Sequence, residues 1–202
     1  MSVPSSSRCL VTGATDPTSI GYACAEALLQ AGAAKVTIMV RDADKVNTAV
    51  ASLTKEGITE GQVSGVVGDL KKPETMAAVV AESVAMMGGM DILVISGGNG
   101  KSEYLGLDAQ DAASYRMMND VCVLSPLFLT EAAAPELAKS TASASGGAVV
   151  MVSSMAPLVP WPDTAPFNYA SAARNTMTET LAFKYRTGNI RFIDFFPACI
   201  HT

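Results

Sequence analysis

The stretch that decides the fold is Cys9-Leu10-Val11-Thr12-Gly13-Ala14-Thr15-Asp16-Pro17-Thr18-Ser19-Ile20-Gly21-Tyr22-Ala23. Its first four residues are short, apolar and β-prone, the pattern of a buried strand. From Ile20 to Gln30 the apolar positions recur with helical period. Between the two lies a polar turn in which Gly13 permits a tight reversal and Gly21 lets helix and backbone approach closely. Ser19 stands where it would cap the helix, leaving the first N–H groups and the positive dipole end directed at an anion such as a diphosphate.

Further strands and helices alternate outward from this unit. Lys35 to Val40, Gln62 to Val67, Asp91 to Ile95, Gly147 to Val152 and Ile190 to Phe196 read as strands. Ala43 to Lys55, Pro73 to Met87, Asp108 to Lys139 and Phe167 to Arg186 read as helices. Five β-α units in succession predict an α/β fold: a doubly wound parallel sheet with helices on both faces, a three-layer α/β/α arrangement. No repeat, low-complexity tract or linker interrupts it, so residues 1–202 read as a single domain.

Composition narrows the function. The chain has 202 residues, is 49% hydrophobic and 16% charged, and carries a formal charge of −5. Without a Lys/Arg cluster, nucleic acid is not an expected partner. The longest apolar stretch, Ala148 to Trp161, contains Ser153, Ser154 and two prolines, so no membrane span is expected. Four cysteines (Cys9, Cys24, Cys122, Cys199) have neither metal-ligand nor disulfide-framework spacing, which fits reduced thiols in a cytoplasmic protein and no metal site.

In a doubly wound sheet the ligand lies at the carboxyl ends of the strands. The second strand ends in Val40-Arg41-Asp42. An arginine there accommodates a ribose 2′-phosphate and an acidic residue a 2′-hydroxyl, so Arg41 favours NADP(H) whereas Asp42 would favour NAD(H). The third strand runs into Gly68-Asp69-Leu70, where a carboxylate would accept the adenine amino group. The fourth runs into Ser96-Gly97-Gly98, whose small residues leave room for a ribose. The expected cofactor-binding set is Gly13, Ser19, Ile20, Gly21, Arg41, Asp69, Leu70, Gly97 and Thr202.

These motifs, in this order, resemble the short-chain dehydrogenase/reductase family over essentially the whole chain. Thr12-Gly13 to Gly21 is similar to the family's TGxxxGxG with two extra residues, the longer form of its enoyl-reductase branch. Asp69 falls on the adenine-contacting aspartate, and Ile95-Ser96-Gly97-Gly98 on NNAG. Asp120-Val121-Cys122-Val123-Leu124-Ser125 falls on DVNLxG, Met151-Val152-Ser153-Ser154 on the strand ending in the catalytic serine, and Ile190-Arg191 to Thr202 on IRVNxxxPGxxxT. The resemblance implies a Rossmann-type fold, an NADP(H) cofactor, and a small carbonyl, alcohol or enoyl substrate.

It also implies a depleted catalytic set. In the family a tyrosine supplies the proton, a lysine lowers its pKa and holds the ribose, a serine orients the carbonyl and an asparagine holds a relay water. Carried over without gaps from Ser154, the tyrosine position falls on Phe167, the lysine position on Ser171 and the asparagine position on Cys122. Ser154 is retained. Tyr169 is the substitute proton donor if the segment Pro160 to Pro166 shifts the helix start. Arg174, seven residues beyond Phe167, is the substitute cation, and His201 lies near the same end by the same likeness. The expected catalytic residues are therefore Ser154 and Tyr169; the other reading leaves Tyr169 as a buried helix residue and Arg174 solvated. A non-redox protein of this fold, either a regulatory cofactor binder or a cyclase or isomerase, is the competing function.

Family members continue beyond PGxxxT into a substrate lid, a final strand and a helix, and this sequence stops at Thr202, so either a site without that lid or a portion of a longer chain is expected. The segments Asp108 to Lys139 and Phe167 to Arg186 are apolar around much of their circumference. They predict a homodimer or homotetramer through a second buried helix face.

Overall fold

The computed structural model describes residues 3–55, 58–59, 61–98 and 111–197. The strands are β1 (Arg8–Thr12), β2 (Lys35–Val40), β3 (Val63–Val67), β4 (Ile92–Ile95), β5 (Gly147–Val152) and β6 (Ile190–Phe195). The α-helices are α1 (Ile20–Gln30), α2 (Ala43–Lys55), α3 (Met76–Met87), α4 (Ala112–Asn119), α5 (Ser125–Ala138) and α6 (Ala165–Lys184). All pairings are parallel, and the order β3-β2-β1-β4-β5-β6 reverses direction between β1 and β4, as a doubly wound sheet requires.

The two faces of the sheet follow from the period of two along each strand. On β1, Cys9 and Val11 pack with Tyr22, Ala25 and Leu29 of α1 and with Leu53 of α2. Leu10 points the other way, into a core with Val79 and Val80 of α3, Leu129 and Leu137 of α5, and Val149 and Met151 of β5. At the amino ends of the strands a buried carboxylate fixes the register. Asp91 accepts from the Arg8 backbone N–H at 2.9 Å, from Arg8 Nε at 2.8 Å and from Ser140 Oγ at 2.7 Å. Burial alone would raise its pKa, yet these bonds hold it below the ordinary value.

Two expected helices are subdivided. Pro73–Thr75 is a 3-10 turn, with Pro73 at a position where its missing N–H costs nothing, and α3 follows it. The long segment divides into α4, a π turn at Asp120–Leu124, and α5, which opens on Ser125 and Pro126. By length and composition the run Ala112–Ala138 would suffice to cross a membrane, and half of its most apolar stretch is buried within this chain, with Leu129, Ala133 and Leu137 in the core beside the sheet. The last helix begins at Ala165, two residues before its expected start. The expected site residue Thr202, together with His201, Cys199 and the start of the long helix at Asp108, lies outside the described residues.

Candidate active-site cleft

The carboxyl ends of β1, β2, β4 and β5 and the amino end of α1 enclose a cleft of about 370 Å³. Gly13, Ser19, Ile20, Arg41, Asp69, Leu70 and Gly97 line it, together with Ser96, Val152, Ser153, Phe167 and Arg174. The first seven belong to the expected cofactor set.

The glycine turn has the backbone that this cleft needs. Gly13 has φ +72°, and a Cβ there would sit 3.1 Å from the Gly97 backbone. A Cβ on Gly21 would come within 2.6 Å of the Thr12 and Gly13 carbonyl oxygens, so α1 begins directly against the end of β1. The longer loop is closed by Asp16, whose carboxylate accepts from the Thr18 N–H at 3.0 Å and from the Thr18 hydroxyl at 2.5 Å. These bonds hold its pKa below the ordinary value. Ser19 caps α1, its hydroxyl accepting from the Tyr22 N–H at 3.4 Å. Thr12 ties the ends of β1 and β4 together, its Oγ1 accepting from the N–H groups of Ser96 at 3.1 Å and Gly97 at 3.2 Å.

At the β2 end, Arg41 lines the cleft. The adjacent Asp42 instead accepts from the Asp44 N–H at 2.9 Å and holds the start of α2. Asp69 accepts from the Lys71 N–H at 3.0 Å, and the Leu70 carbonyl accepts from Ser125 Oγ at 2.7 Å, which fixes the loop after β3 against α5. Ser96 Oγ is buried with no hydrogen-bond partner in the wall of this cleft. A glycine turn at a capped helix start, an exposed guanidinium at the β2 end and an orphaned hydroxyl after β4 fit a dinucleotide.

The β5 end departs from expectation. Phe167 lines the cleft, but Tyr169 does not: its ring lies 5.6 Å from that of Tyr115 and is 50% exposed on the outer side of α4 and α6. The 3-10 turn at Pro162–Thr164 leads directly into α6, and two residues along a helix turn a side chain by about 200°. The expected substitute proton donor is thus corrected: Tyr169 neither lines the cleft nor is a buried ring. Ser154 is half-buried beside the cleft, where its Oγ accepts from the Ala156 N–H at 3.0 Å; this uses a lone pair and leaves the hydroxyl proton. Ser153 lines the cleft and donates to Asn175 Oδ1. Ser171 and Cys122 are buried.

Arg174, expected either as a substitute cation or as a solvated residue, is 5% exposed. Its guanidinium donates to the carbonyls of Cys122 at 2.7 Å, Val152 at 2.8 Å and Gly97 at 3.1 Å. Behind it, on β6, Asp194 has a buried oxygen without a partner; burial pushes its pKa up to about 6 although Arg174 pulls it down. Nothing in the sequence marked Asp194. Thr12 at the last position of the first strand was the available sign for the β1–β4 tie.

A six-stranded doubly wound sheet with this cleft at its switch point defines a dinucleotide-fold α/β protein. The short chain dehydrogenase family model matches residues 7–202, and the chain belongs to that family. It is 35% identical over 195 residues to dehydrogenase/reductase SDR family member 4 of Bos taurus, a match over 96% of this chain and 65% of that protein. The Homo sapiens protein of the same name matches at 35% identity, over 96% of this chain and 66% of its own length. The chain thus spans just under two thirds of the length of these relatives. Among solved structures, a metagenomic short-chain oxidoreductase in complex with NADP superposes with a TM-score of 0.80 at 25% identity, over 98% of this chain and 84% of that one.

Proposed function

We propose that this chain binds NADP(H) in the cleft and is an oxidoreductase of modified active site, acting on a small carbonyl, alcohol or enoyl substrate. The observation that carries the cofactor choice is the division of labour after β2. Arg41 is in the cleft and exposed, where it would meet a 2′-phosphate, while the Asp42 carboxylate is occupied at the start of α2. The similar metagenomic oxidoreductase, described with NADP, supports the same reading. Gly13, Ile20 and Gly21 would hold the diphosphate, and Asp69 and Leu70 the adenine. A bound dinucleotide would supply the hydride, and the Ser154 hydroxyl would donate a hydrogen bond to the substrate oxygen, with solvent as the source of the proton.

A second reading is favoured by Phe167. A phenyl ring in the cleft cannot donate a proton, and loss of a positioned general acid costs about 10²–10⁴-fold in rate. On this reading the cofactor is bound for regulation, or the pocket serves a cyclisation or isomerisation. A cytoplasmic location is proposed with both readings, on the ground that Cys9, Cys24 and Cys122 are free thiols; burial pushes the Cys9 thiol up to about 12, which keeps it from forming a thiolate at neutral pH.

Calorimetric titration with NADPH and NADH tests the cofactor assignment. Tighter binding of NADPH is expected, with Arg41→Ala weakening NADPH by about tenfold or more while leaving NADH within about twofold. Equal affinity for both, unaffected by the substitution, would overturn it.

A further inference from the structure

The β5 end of the cleft holds a ring and no acid. Phe167 is half-buried there, packed against the core and lining the cleft, and Val121 and Val152 share the wall with it. Among the described residues, the titratable groups that line the cleft are Arg41, Asp69, Lys71 and Arg174. Arg41, Asp69 and Lys71 follow β2 and β3, three or more strands from β5, which is about 14 Å or more. Arg174 is buried on the carbonyls of Gly97, Cys122 and Val152, and a guanidinium does not release its proton. Ser96, Ser153 and Ser154 offer aliphatic hydroxyls, which hydrogen-bond but do not ionise at neutral pH.

This end of the cleft can therefore hold and orient a substrate without protonating it. Reduction of a carbonyl turns two neutral molecules into an alkoxide and an oxidised nicotinamide cation. An apolar wall penalises that separation of charge unless an acid stands at the oxygen. An iminium ion escapes the penalty, because its carbon–nitrogen double bond is already positive. Its carbon takes the hydride, with both electrons, from a dihydronicotinamide: one C–H bond breaks, another forms, and the π pair becomes the nitrogen lone pair. The substrate is reduced to an amine and the nicotinamide is oxidised to its cation. The positive charge moves, none is created, and no proton is needed. The nicotinamide ends as a cation whichever substrate is reduced, so the charge of Arg174 does not decide between them.

The ring itself favours the same substrate class. The face of a phenyl group attracts a cation, and most strongly where water is excluded. Ser154 Oγ spends one lone pair on the Ala156 N–H and keeps another, which can accept from an iminium N–H. We propose that the cleft reduces iminium ions, with Phe167 holding the cation. This rests on the dinucleotide reading above and gives it a substrate that the absence of an acid does not penalise.

The test compares N-methyl-dihydroisoquinolinium, a permanent iminium cation, with tetralone, a ketone on a similar two-ring frame, each with NADPH. Wild type is expected to reduce the iminium with kcat/KM about 10²-fold or more above the ketone, and at the same rate in deuterium oxide as in water. A ketone reduced as fast as the iminium would overturn the proposal. So would an iminium rate no greater than that without protein, or one slowed twofold or more in deuterium oxide. Binding is read separately by calorimetry on protein saturated with tetrahydro-NADP, a cofactor form with no hydride to give. Phe167→Leu is expected to weaken the iminium about three- to thirtyfold more than it weakens tetralone. Equal loss for both ligands would make Phe167 a packing residue and overturn the proposal. If Phe167→Leu does not fold, the two substrates compared on wild type decide. Wild type that does not bind NADPH overturns the dinucleotide reading itself, whereas wild type that binds NADPH and reduces no iminium overturns only this inference.

Discussion

Asp194 shows how one residue links the cleft to the stability of the fold. It lies opposite Met151 in the β5–β6 register, with a buried, unpartnered oxygen. Burial raises its pKa from 3.8 to about 6, against the pull of Arg174 and with the push of Glu179. Between those two values the folded chain keeps a proton that the unfolded chain has lost. Stability therefore falls as pH rises from about 4 to about 6 and is flat above. Asp194→Asn removes this dependence. Solvent still reaches the site, so the gain at neutral pH is expected on the order of 1 kcal/mol, or about 2–4 °C in Tm. Thermal melts at pH 3.5 and pH 7.5 check it: the variant should exceed wild type only at the higher value. The lowered pKa of Asp91 acts with the opposite sign, in acid, but is common to both proteins and cancels. A variant no more stable than wild type at pH 7.5 would show that Asp194 is not strained by burial.

At the scale of the element, α6 decides what chemistry the cleft can do. Its start at Ala165 turns Phe167 inward and Tyr169 outward, and Ser171 follows Phe167 by one turn on the same side. The double substitution Phe167→Tyr with Ser171→Lys is therefore expected to raise NADPH-dependent carbonyl reduction by about 10²–10⁴-fold. Residue 171 is also three positions from Arg174, so a lysine there would crowd the guanidinium. The assay is therefore run with and without Arg174→Leu. No gain in either background, with NADPH demonstrably bound, would favour the non-redox reading. The helix itself was legible from its period, as were the six strands to within a residue. What was not legible was rotation and interruption. A proline-rich lead-in leaves a helix start uncertain, and a shift of two residues reverses which ring enters the cleft. The π turn keeps nearly the same apolar period as an α-helix, so Asp120 to Leu124 read as continuous with its neighbours. Arg174 was legible as a substitute cation or as a solvated residue, but its burial was not, because arginine on a helix is ordinarily solvated. The positions of Arg41, Asp69 and Gly13 along the cleft were legible because strand ends and glycine spacing fix the backbone locally.

On the scale of the whole molecule, the outer face of α5 and α6 calls for a partner. A groove of about 780 Å³ runs between them, lined by Leu127, Tyr169, Ala172, Ala173, Met177 and Leu181, with Glu131 and Lys184 at its margin. Lys184 Nζ donates to Glu131 at 2.6 Å and Tyr185 donates to the same carboxylate at 3.1 Å, so the marginal charges are already paired within the chain. The helices bury their other sides on the sheet through Leu129, Leu137, Ala170 and Thr178. Two apolar faces on one helix pair exceed what a sheet can cover, and a two-fold copy of the same face is the simplest complement. We propose a homodimer, or a homotetramer built from it, formed through this groove. Sedimentation at micromolar concentration should show the wild type as an oligomer and Met177→Asp shifted toward the monomer, since a desolvated carboxylate in the seam would cost several kcal/mol. Circular dichroism should be unchanged, because Met177 is only partly buried within one chain. A wild type that sediments strictly as a monomer would overturn the proposal, and Tyr169 and Ala172 would then stand exposed on a face that nothing covers.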